Sequence, residues 1–128
     1  MTTLVGADIQ DIDEVRQSVE LFGDRYVRRI YTDHEIDECR QRATGVNGAL
    51  ASRFAAKEAI FKILTSGNPW ASWREVEVRL ESGRPTIALR GAAAEQAARQ
   101  GIATITLSLS QGAATAVAVV VAEIDREQ

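Results

Sequence analysis

Ser52-Arg53-Phe54-Ala55-Ala56-Lys57-Glu58-Ala59-Ile60-Phe61-Lys62 combines four charged side chains with the composition of a buried, alanine-rich helix. Residues four apart share a helix face, so Arg53 lies over Lys57 and Glu58 lies over Lys62. The alanines keep this helix thin, and an apolar stripe faces the core: Ile60, Ile63 and Leu64. The stretch therefore predicts a long helix that carries charges along the edge of the core.

Helix geometry alone leaves two interpretations of these charges. Two cations on one edge, with a carboxylate beside a third cation, would suit a phosphate ester and its metal ion. Alternatively, the helix lies at the surface, and the Glu58–Lys62 pair stabilises it by a few tenths of a kcal/mol.

The composition narrows the class of protein. The chain has 128 residues, and we expect one domain spanning 1–128. Its net charge of −3 gives no general attraction to nucleic acid or to anionic lipid. Cys39 is the single cysteine and His34 the single histidine, so an internal disulfide and a Cys/His zinc site are both excluded.

The cellular location is expected to be the cytoplasm. Met1-Thr2-Thr3 shows no basic leader followed by an apolar core, and the most apolar stretch, 113–122, is too short to cross a bilayer. A single cysteine fits a reducing compartment.

The hydrophobic periodicity predicts an α+β fold with a mainly antiparallel sheet, one long helix and several short helices. Alternating polarity predicts strands at 4–9, 75–80, 86–90, 104–110 and 116–122. Capping residues and apolar stripes predict helices at 11–22, 32–42, 49–64 and 92–100, with a loop at 44–48 and turns at 65–69 and 81–85. In the first helix, the apolar stripe is predicted to run from Ile12 to Phe22.

The last predicted strand is apolar on both faces from Val117 to Ala122. Either another subunit or a helix layer covers its outer face, or it is a central strand with a helix packed on its back.

Asp8 is unusual because aspartate is disfavoured in strands. It would share a face with Gly6, whose missing side chain leaves room for a ligand or a hydrated metal ion. The alternative is that Asp8 accepts hydrogen bonds from the start of the following helix. If Asp8 and Glu58 converge between the cations, they make a Mg²⁺ site, because that ion favours few carboxylates together with phosphate oxygens and water.

Several blocks of the sequence resemble the small, single-domain holo-acyl-carrier-protein synthases, a branch of the 4′-phosphopantetheinyl transferases. Gly6-Ala7-Asp8-Ile9 resembles the family's opening Gly-x-Asp-Ile strand, and residues 52–62 look like its signature helix. Gly83-Arg84-Pro85 is similar to its Gly-Lys/Arg-Pro turn, and Ser108-Leu109-Ser110 to its late Ser-x-Ser/Thr strand.

The resemblance implies a Mg²⁺-dependent enzyme that transfers the phosphopantetheine arm of coenzyme A to a serine of an apo acyl carrier protein or related carrier, releasing adenosine 3′,5′-bisphosphate. Asp8 and Glu58 would hold Mg²⁺ at the pyrophosphate, with Lys62 beside it as the third catalytic residue. Further coenzyme A-binding residues are implied: Arg53, Lys57, Gly83, Arg84, Pro85 and Gln111. Arg53 and Lys57 would bind a further phosphate, the 3′-phosphate being one option. A homotrimer is also implied, while fatty-acid, polyketide and peptide pathways all stay open.

Two departures from the family pattern affect these expectations. Gln111 stands where a histidine is usual, and because glutamine cannot carry charge we expect weaker coenzyme A binding rather than lost chemistry. The first helix is acidic where the family presents basic and apolar residues to its carrier: Asp11, Asp13, Glu14 and Glu20. Either the carrier is unusual, docking shifts towards 25–29, or the acidic face is merely solvated.

Two rival functions remain open at this point. One is a non-catalytic coenzyme A-binding or scaffold homologue that keeps the fold without productive carrier docking. The other is an unrelated nucleotide-binding α+β protein.

Overall fold

The computed structural model describes residues 2–42, 45–64 and 72–125. Its strands are β1 Thr2–Asp11, β2 Val76–Glu81, β3 Arg84–Leu89, β4 Ile102–Gln111 and β5 Thr115–Ile124. Its helices are α1 Ile12–Phe22, α2 Asp24–Ile30, α3 Asp33–Arg40, α4 Val46–Ile63 and α5 Gly91–Arg99, with a 3₁₀ turn at Trp73–Glu75. The predicted α+β class is confirmed, with one long helix and several short ones.

The strands form two antiparallel sheets. A three-stranded sheet has the order β1-β5-β4, and β2 pairs with β3 in a separate hairpin. The hairpin turns at Ser82 and Gly83, which both have positive φ (51° and 78°), as a two-residue type I′ turn requires. In the larger sheet, Asp8 of β1 and Leu109 of β4 flank Ala118 of β5. The predicted last strand is therefore the centre of its sheet.

Helix α4 packs closely on one face of this sheet, and Gly6 permits the approach. A Cβ at Gly6 would lie 2.5 Å from the Ala59 carbonyl oxygen, closer than real side chains come. On the helix side, Ala55, Ala56 and Ala59 are fully buried. Small residues on both surfaces thus bring the helix backbone against β1, directly beside Asp8.

Local capping explains where two helices begin. The Asp11 carboxylate accepts hydrogen bonds from the backbone N–H groups of Asp13 and Glu14 and caps α1. Thr32 and Glu35 form the predicted capping box of α3. The helix-capping alternative for Asp8 is therefore wrong, because Asp11 fills that position.

Other expectations differ from the structure. Helix α2 was not predicted, because seven residues are too few to show a helical period. The expected loop at 44–48 is partly helix, since α4 already begins at Val46. Phe22 does not join the core stripe and is 60% exposed, because α1 ends at Gly23 before the chain turns. The expected turn at 65–69 lies outside the described residues.

The face of the sheet opposite α4 is apolar and uncovered by the described part of the chain. Ala118, Val120 and Ala122 of β5 point towards α4 and are fully buried. The alternate positions lie on the other face, where three side chains are exposed by a third or more: Val5, Ile9 and Val119. Helix α4 therefore covers one face of β5. What covers the outer face depends on how copies of the protein assemble.

Candidate functional site

The structure places most of the predicted site residues at one or the other edge of the three-stranded sheet. One group lies at the β1 edge and is called here the carboxylate cluster: Asp8, Glu58 and Lys62. The other lies at the β4 edge, in a cleft between the first half of α4, strand β4 and the β2–β3 hairpin. Helix α4 lies across the sheet and contributes residues to both groups.

Hydrogen bonds and charge hold the carboxylate cluster together. The Lys62 ammonium lies 3.0 Å from Asp8 Oδ1 and donates to the Ala7 carbonyl oxygen at 2.9 Å. The other oxygen of Asp8 accepts from Gln10 Nε2 at 2.6 Å. The Asp8 side chain is 14% exposed and that of Lys62 is 53% exposed, so the lysine can move away while the carboxylate stays fixed.

Glu58 lies close enough to Asp8 for the two carboxylates to repel. Burial raises the pKa of Glu58, the Asp8 charge raises it further, and Lys62 partly offsets the increase. In the described part of the chain no group donates a hydrogen bond to the Glu58 carboxylate. Such a pair of half-buried carboxylates gains most when a cation binds between them.

These donors fit a magnesium ion. In the described ranges, no three side chains among His, Cys, Asp and Glu come close enough to enclose a metal ion. Asp8 and Glu58 would therefore supply two carboxylates, with the other ligands coming from water or a substrate phosphate. That donor set is the one Mg²⁺ favours, whereas a zinc site would need further protein ligands.

The cleft at the β4 edge has a volume of about 410 Å³. Its lining combines basic, hydroxyl, amide and apolar groups: Arg42, Gly45, Ala49, Ser52, Arg53, Leu80, Gly83, Pro85, Leu107, Ser108, Leu109, Ser110 and Gln111. Four of the predicted coenzyme A-binding residues lie here: Arg53, Gly83, Pro85 and Gln111. Arg84 is exposed at the start of β3 and does not line the cleft.

Arg53 carries unused donors at the wall of the cleft. Its side chain is only 3% exposed. Nη1 donates to the Ala49 carbonyl oxygen and to Ser52 Oγ at 3.3 and 3.4 Å. Nε and Nη2 make no hydrogen bond in the described structure, although Nη2 lies 3.5 Å from Glu38 Oε1. A buried guanidinium with free donors is suited to a bidentate anion such as phosphate.

The cleft also contains residues that were not identified from the sequence. Arg42 adds a second cation, and Gly45 and Ala49 place the first turn of α4 at the rim. Gly45 offers no side-chain cap to this helix end, whose first N–H groups have no partner within the helix. The sequence signal that could have identified this region was Arg42, a basic residue just ahead of a long helix, because anions bind at helix N-termini.

Gln111 packs against this same helix turn. A Cβ at Gly48 would lie 2.6 Å from Gln111 Nε2, so the amide rests directly on the glycine. This contact fixes the side chain at the cleft and leaves it able to donate or accept a hydrogen bond there.

Lys57 does not lie in the cleft, and its prediction as a phosphate-binding residue is corrected here. Its side chain is 0% exposed, and its ammonium lies 2.7 Å from Glu35 Oε1. It also donates to the carbonyl oxygens of Trp73 and Val76. Burial lowers the pKa of Lys57, and the Glu35 charge opposes that shift. All three ammonium donors are used inside the protein, so none is left for a ligand.

Comparison with known proteins identifies the family. The 4′-phosphopantetheinyl transferase superfamily matches residues 4–119. The chain is 38% identical to the holo-acyl-carrier-protein synthase of Solibacter usitatus, over 92% of this chain and 95% of that protein. It is 41% identical to that of Koribacter versatilis, again over 92% and 95%.

Solved structures agree with this assignment. The holo-acyl-carrier-protein synthase of Neisseria meningitidis superposes with a TM-score of 0.82 at 35% identity, covering 93% of this chain and 96% of that one. That of Helicobacter pylori, solved in complex with coenzyme A, has a TM-score of 0.81 at 27% identity and covers 94% and 100%. The fold, the signature helix and these relatives lead to one conclusion: the chain belongs to the 4′-phosphopantetheinyl transferase superfamily and is a transferase.

Proposed function

We propose that this protein is a holo-acyl-carrier-protein synthase, which transfers 4′-phosphopantetheine from coenzyme A to a serine of an apo carrier protein. The observation that carries the proposal is the carboxylate cluster of Asp8, Glu58 and Lys62, in a chain whose curated relatives carry that activity in their names. The serine Oγ bonds to the phosphorus that bears the pantetheine arm, the bond from that phosphorus to adenosine 3′,5′-bisphosphate breaks, and the serine proton is released.

The reaction depends on charge compensation at the pyrophosphate more than on an unusual nucleophile. A Mg²⁺ ion bound by Asp8 and Glu58 would supply positive charge there. Lys62 pairs with Asp8 and is half-exposed, so its ammonium can turn from the carboxylate to a substrate phosphate. Asp8 and Glu58 would act on the phosphates only through the ion that they hold, because bare carboxylates repel phosphate, whereas Lys62 would itself stabilise the charge that develops on the leaving group.

The cleft would hold the nucleotide end of coenzyme A. Arg53 offers a buried guanidinium whose hydrogen bonding is incomplete, and Arg42 adds charge at the N-terminal turn of α4. These groups suit the 3′-phosphate, while the Gly83–Pro85 turn and Gln111 complete the wall beside the adenosine. Arg84, exposed at the rim, would contribute only long-range charge.

A homotrimer would combine the two groups of residues. In one copy, the cleft and the carboxylate cluster lie at opposite edges of the sheet, with α4 between them. The uncovered apolar face around Val5, Ile9 and Val119 supports association of copies. Coenzyme A bound in one subunit's cleft would then reach the carboxylates of the next. Light scattering should show a trimer, and Ile9→Glu should disrupt it.

An acidic carrier protein would dock at the junction of α1 and α2. Part of the acidic charge of α1 is already paired, since Arg16 bridges Asp13 and Glu20. The exposed Leu21 and Phe22 adjoin the basic helix α2, where docking would involve Arg25 and Arg29. Charge reversal at these two arginines should slow modification of the carrier without weakening coenzyme A binding.

No described helix is long and apolar enough to cross a membrane. A cytoplasmic location, alongside the carrier and coenzyme A, is part of this proposal, as is a single domain over residues 1–128.

Incubation with coenzyme A, Mg²⁺ and a panel of apo carriers, followed by intact-mass measurement, tests the function directly. Modification of the correct carrier should add about 340 Da, the mass of the transferred arm. The panel should include fatty-acid, polyketide and peptide carriers, so that the preferred partner identifies the pathway. Coenzyme A binding without a mass gain on any carrier would favour the non-catalytic scaffold instead.

A further inference from the structure

Glu38 of α3 does not itself line the cleft, but it forms an ion pair with Arg53, which does. Its carboxylate is 19% exposed, and Oε1 lies 3.5 Å from Arg53 Nη2. The other oxygen, Oε2, accepts from the Leu80 backbone N–H at 3.2 Å and lies 3.0 Å from His34 Nε2. Glu38 is thus fixed at one oxygen and directs the other at the guanidinium.

The environment of Arg53 depends on this carboxylate. Among the described residues, Glu38 is the one acidic side chain that forms an ion pair with Arg53. Within the described residues, the hydrogen bonds of the guanidinium are the two long ones to Ala49 and Ser52. A buried cation without a compensating carboxylate is costly and turns towards water where it can.

The incomplete hydrogen bonding of the pair points to a ligand. Glu38 Oε1 and Arg53 Nε and Nη2 are all buried without a hydrogen bond in the described structure. Oε1 and Nη2 face each other at 3.5 Å, which is longer than an ordinary hydrogen bond, whereas buried polar groups are normally satisfied. A guanidinium held by so long an ion pair, on a residue that lines the cleft, can accept an additional anionic partner. The carboxylate faces Nη2 and limits where the guanidinium can lie, and Nε is left without a hydrogen bond among the described residues.

We propose that Glu38 is a positioning residue, which holds the Arg53 guanidinium at the cleft wall and thereby sets the preference for the 3′-phosphate of coenzyme A. This inference rests on the function proposed above. Glu38 does not contact the ligand and acts through Arg53, while Leu80 and His34 fix its own orientation.

Calorimetric binding of coenzyme A and of 3′-dephospho-coenzyme A to the intact protein tests the proposal. Glu38→Ala should weaken coenzyme A binding about fivefold, and change binding of the dephospho compound by less than about twofold. Glu38→Gln keeps an acceptor for the Leu80 N–H and should lose less affinity, which guards against a folding defect. Asp37→Ala, the same loss of charge at the exposed neighbour on α3, is the matched control and should change neither affinity.

A double-mutant cycle with Arg53→Met then asks whether Glu38 acts through Arg53. The double variant should bind coenzyme A no more weakly than Arg53→Met alone. Additive losses, equal losses for both ligands, or unchanged or tighter coenzyme A binding by Glu38→Ala would each overturn the inference. Wild-type protein that modifies its carrier but does not distinguish the two ligands overturns only this inference. Wild-type protein that binds no coenzyme A refutes the proposed function as well.

Discussion

Arg53 and Lys57 lie one turn apart on α4, and both are buried cations, yet their surroundings differ. Lys57 has a carboxylate and two carbonyl oxygens as acceptors, which use all of its donors. Arg53, at the wall of a cleft, has one carboxylate 3.5 Å from Nη2, and neither Nη2 nor Nε makes a hydrogen bond among the described residues. A saturated buried charge supports the fold, whereas we expect an incompletely satisfied one at a cavity wall to be available for a ligand.

The strongest test of this comparison is Lys57→Met. The substitution leaves Glu35 buried without its cation, and we expect a loss of about 3–5 kcal/mol in the free energy of unfolding. Urea denaturation measures the loss, and Lys62→Met serves as a control because that lysine is half-exposed on the same helix. A stable Lys57→Met variant with weakened coenzyme A binding would restore the phosphate-binding role rejected here.

Glu58 extends the comparison to a third charge of the same helix. Glu58→Gln should lower the rate of carrier modification by at least about 100-fold, because one of two metal-binding carboxylates becomes neutral. Its unfolding free energy should not fall, since the substitution removes repulsion with Asp8. Mass spectrometry over a Mg²⁺ titration measures the rate. Full activity with unchanged Mg²⁺ dependence would remove Glu58 from the metal site.

Glu77 is a buried carboxylate on the β2–β3 hairpin, and it pairs with two partly exposed arginines. The pH dependence of its contribution to stability can be predicted. Burial alone would raise its pKa, but hydrogen bonds from Thr32 and Arg79 and the Arg90 charge lower it to about 2, from an ordinary value of 4.5. The ion pairing therefore stabilises the fold above pH 4.5, and this contribution is lost as the pH falls towards 2.

The expected contribution of Glu77 is about 2 kcal/mol, allowing for the partly exposed arginines. Glu77→Gln should lower the free energy of unfolding by that amount at pH 7. The difference from the wild type should shrink between pH 4.5 and pH 2 in parallel urea titrations. A constant difference across that range would show that the stabilisation is not ionic.

Arg53→Met should weaken coenzyme A binding about tenfold while leaving dephospho-coenzyme A binding nearly unchanged, because it removes the donors at the cleft wall. Arg40→Met, at an exposed position on α3, controls for the change in net charge. If both ligands lose affinity equally, Arg53 supports the wall of the cleft rather than a phosphate.

The smallest effect is expected at the amide beside Gly48. Gln111→His should tighten coenzyme A binding about threefold below pH 6, where an ordinary histidine is charged, and less above pH 7. Calorimetry at two pH values measures the change. Equal affinities at both pH values would show that this side chain does not face an anion.

Much of the fold could be predicted because its signals are local. Thr32 and Glu35 lie three residues apart and form their capping box without distant partners. The alternation from Val76 to Leu80 marks a strand for the same reason. Helix α2 was not predicted, because its seven residues are stabilised by the packing of Val27 and Ile30 into the core and not by a local signal.

The candidate site was predictable only in part. Gly6, Asp8 and Glu58 were selected by residue type and by resemblance, and the structure brings Asp8 and Glu58 together because Gly6 lets α4 approach β1. Beyond its place in the capping box, Glu35 also pairs with Lys57 and accepts from the Val78 N–H, 43 residues away, and these long-range contacts could not be predicted. Glu38 was not identified from the sequence for the same reason, since it accepts from the Leu80 N–H, 42 residues away.

The sequence by itself determined the family, the α+β class and the charges along the long helix, because these depend on residue type and short spacing. Tertiary structure alone decided which charges are available to a ligand. The helical repeat places Arg53 and Lys57 on similar faces, but whether a buried cation is saturated depends on acceptors from elements distant in the chain. For Lys57 those acceptors come from α3, β2 and the 3₁₀ turn. Arg53 lies at the wall of a cleft, and two of its nitrogen atoms make no hydrogen bond among the described residues.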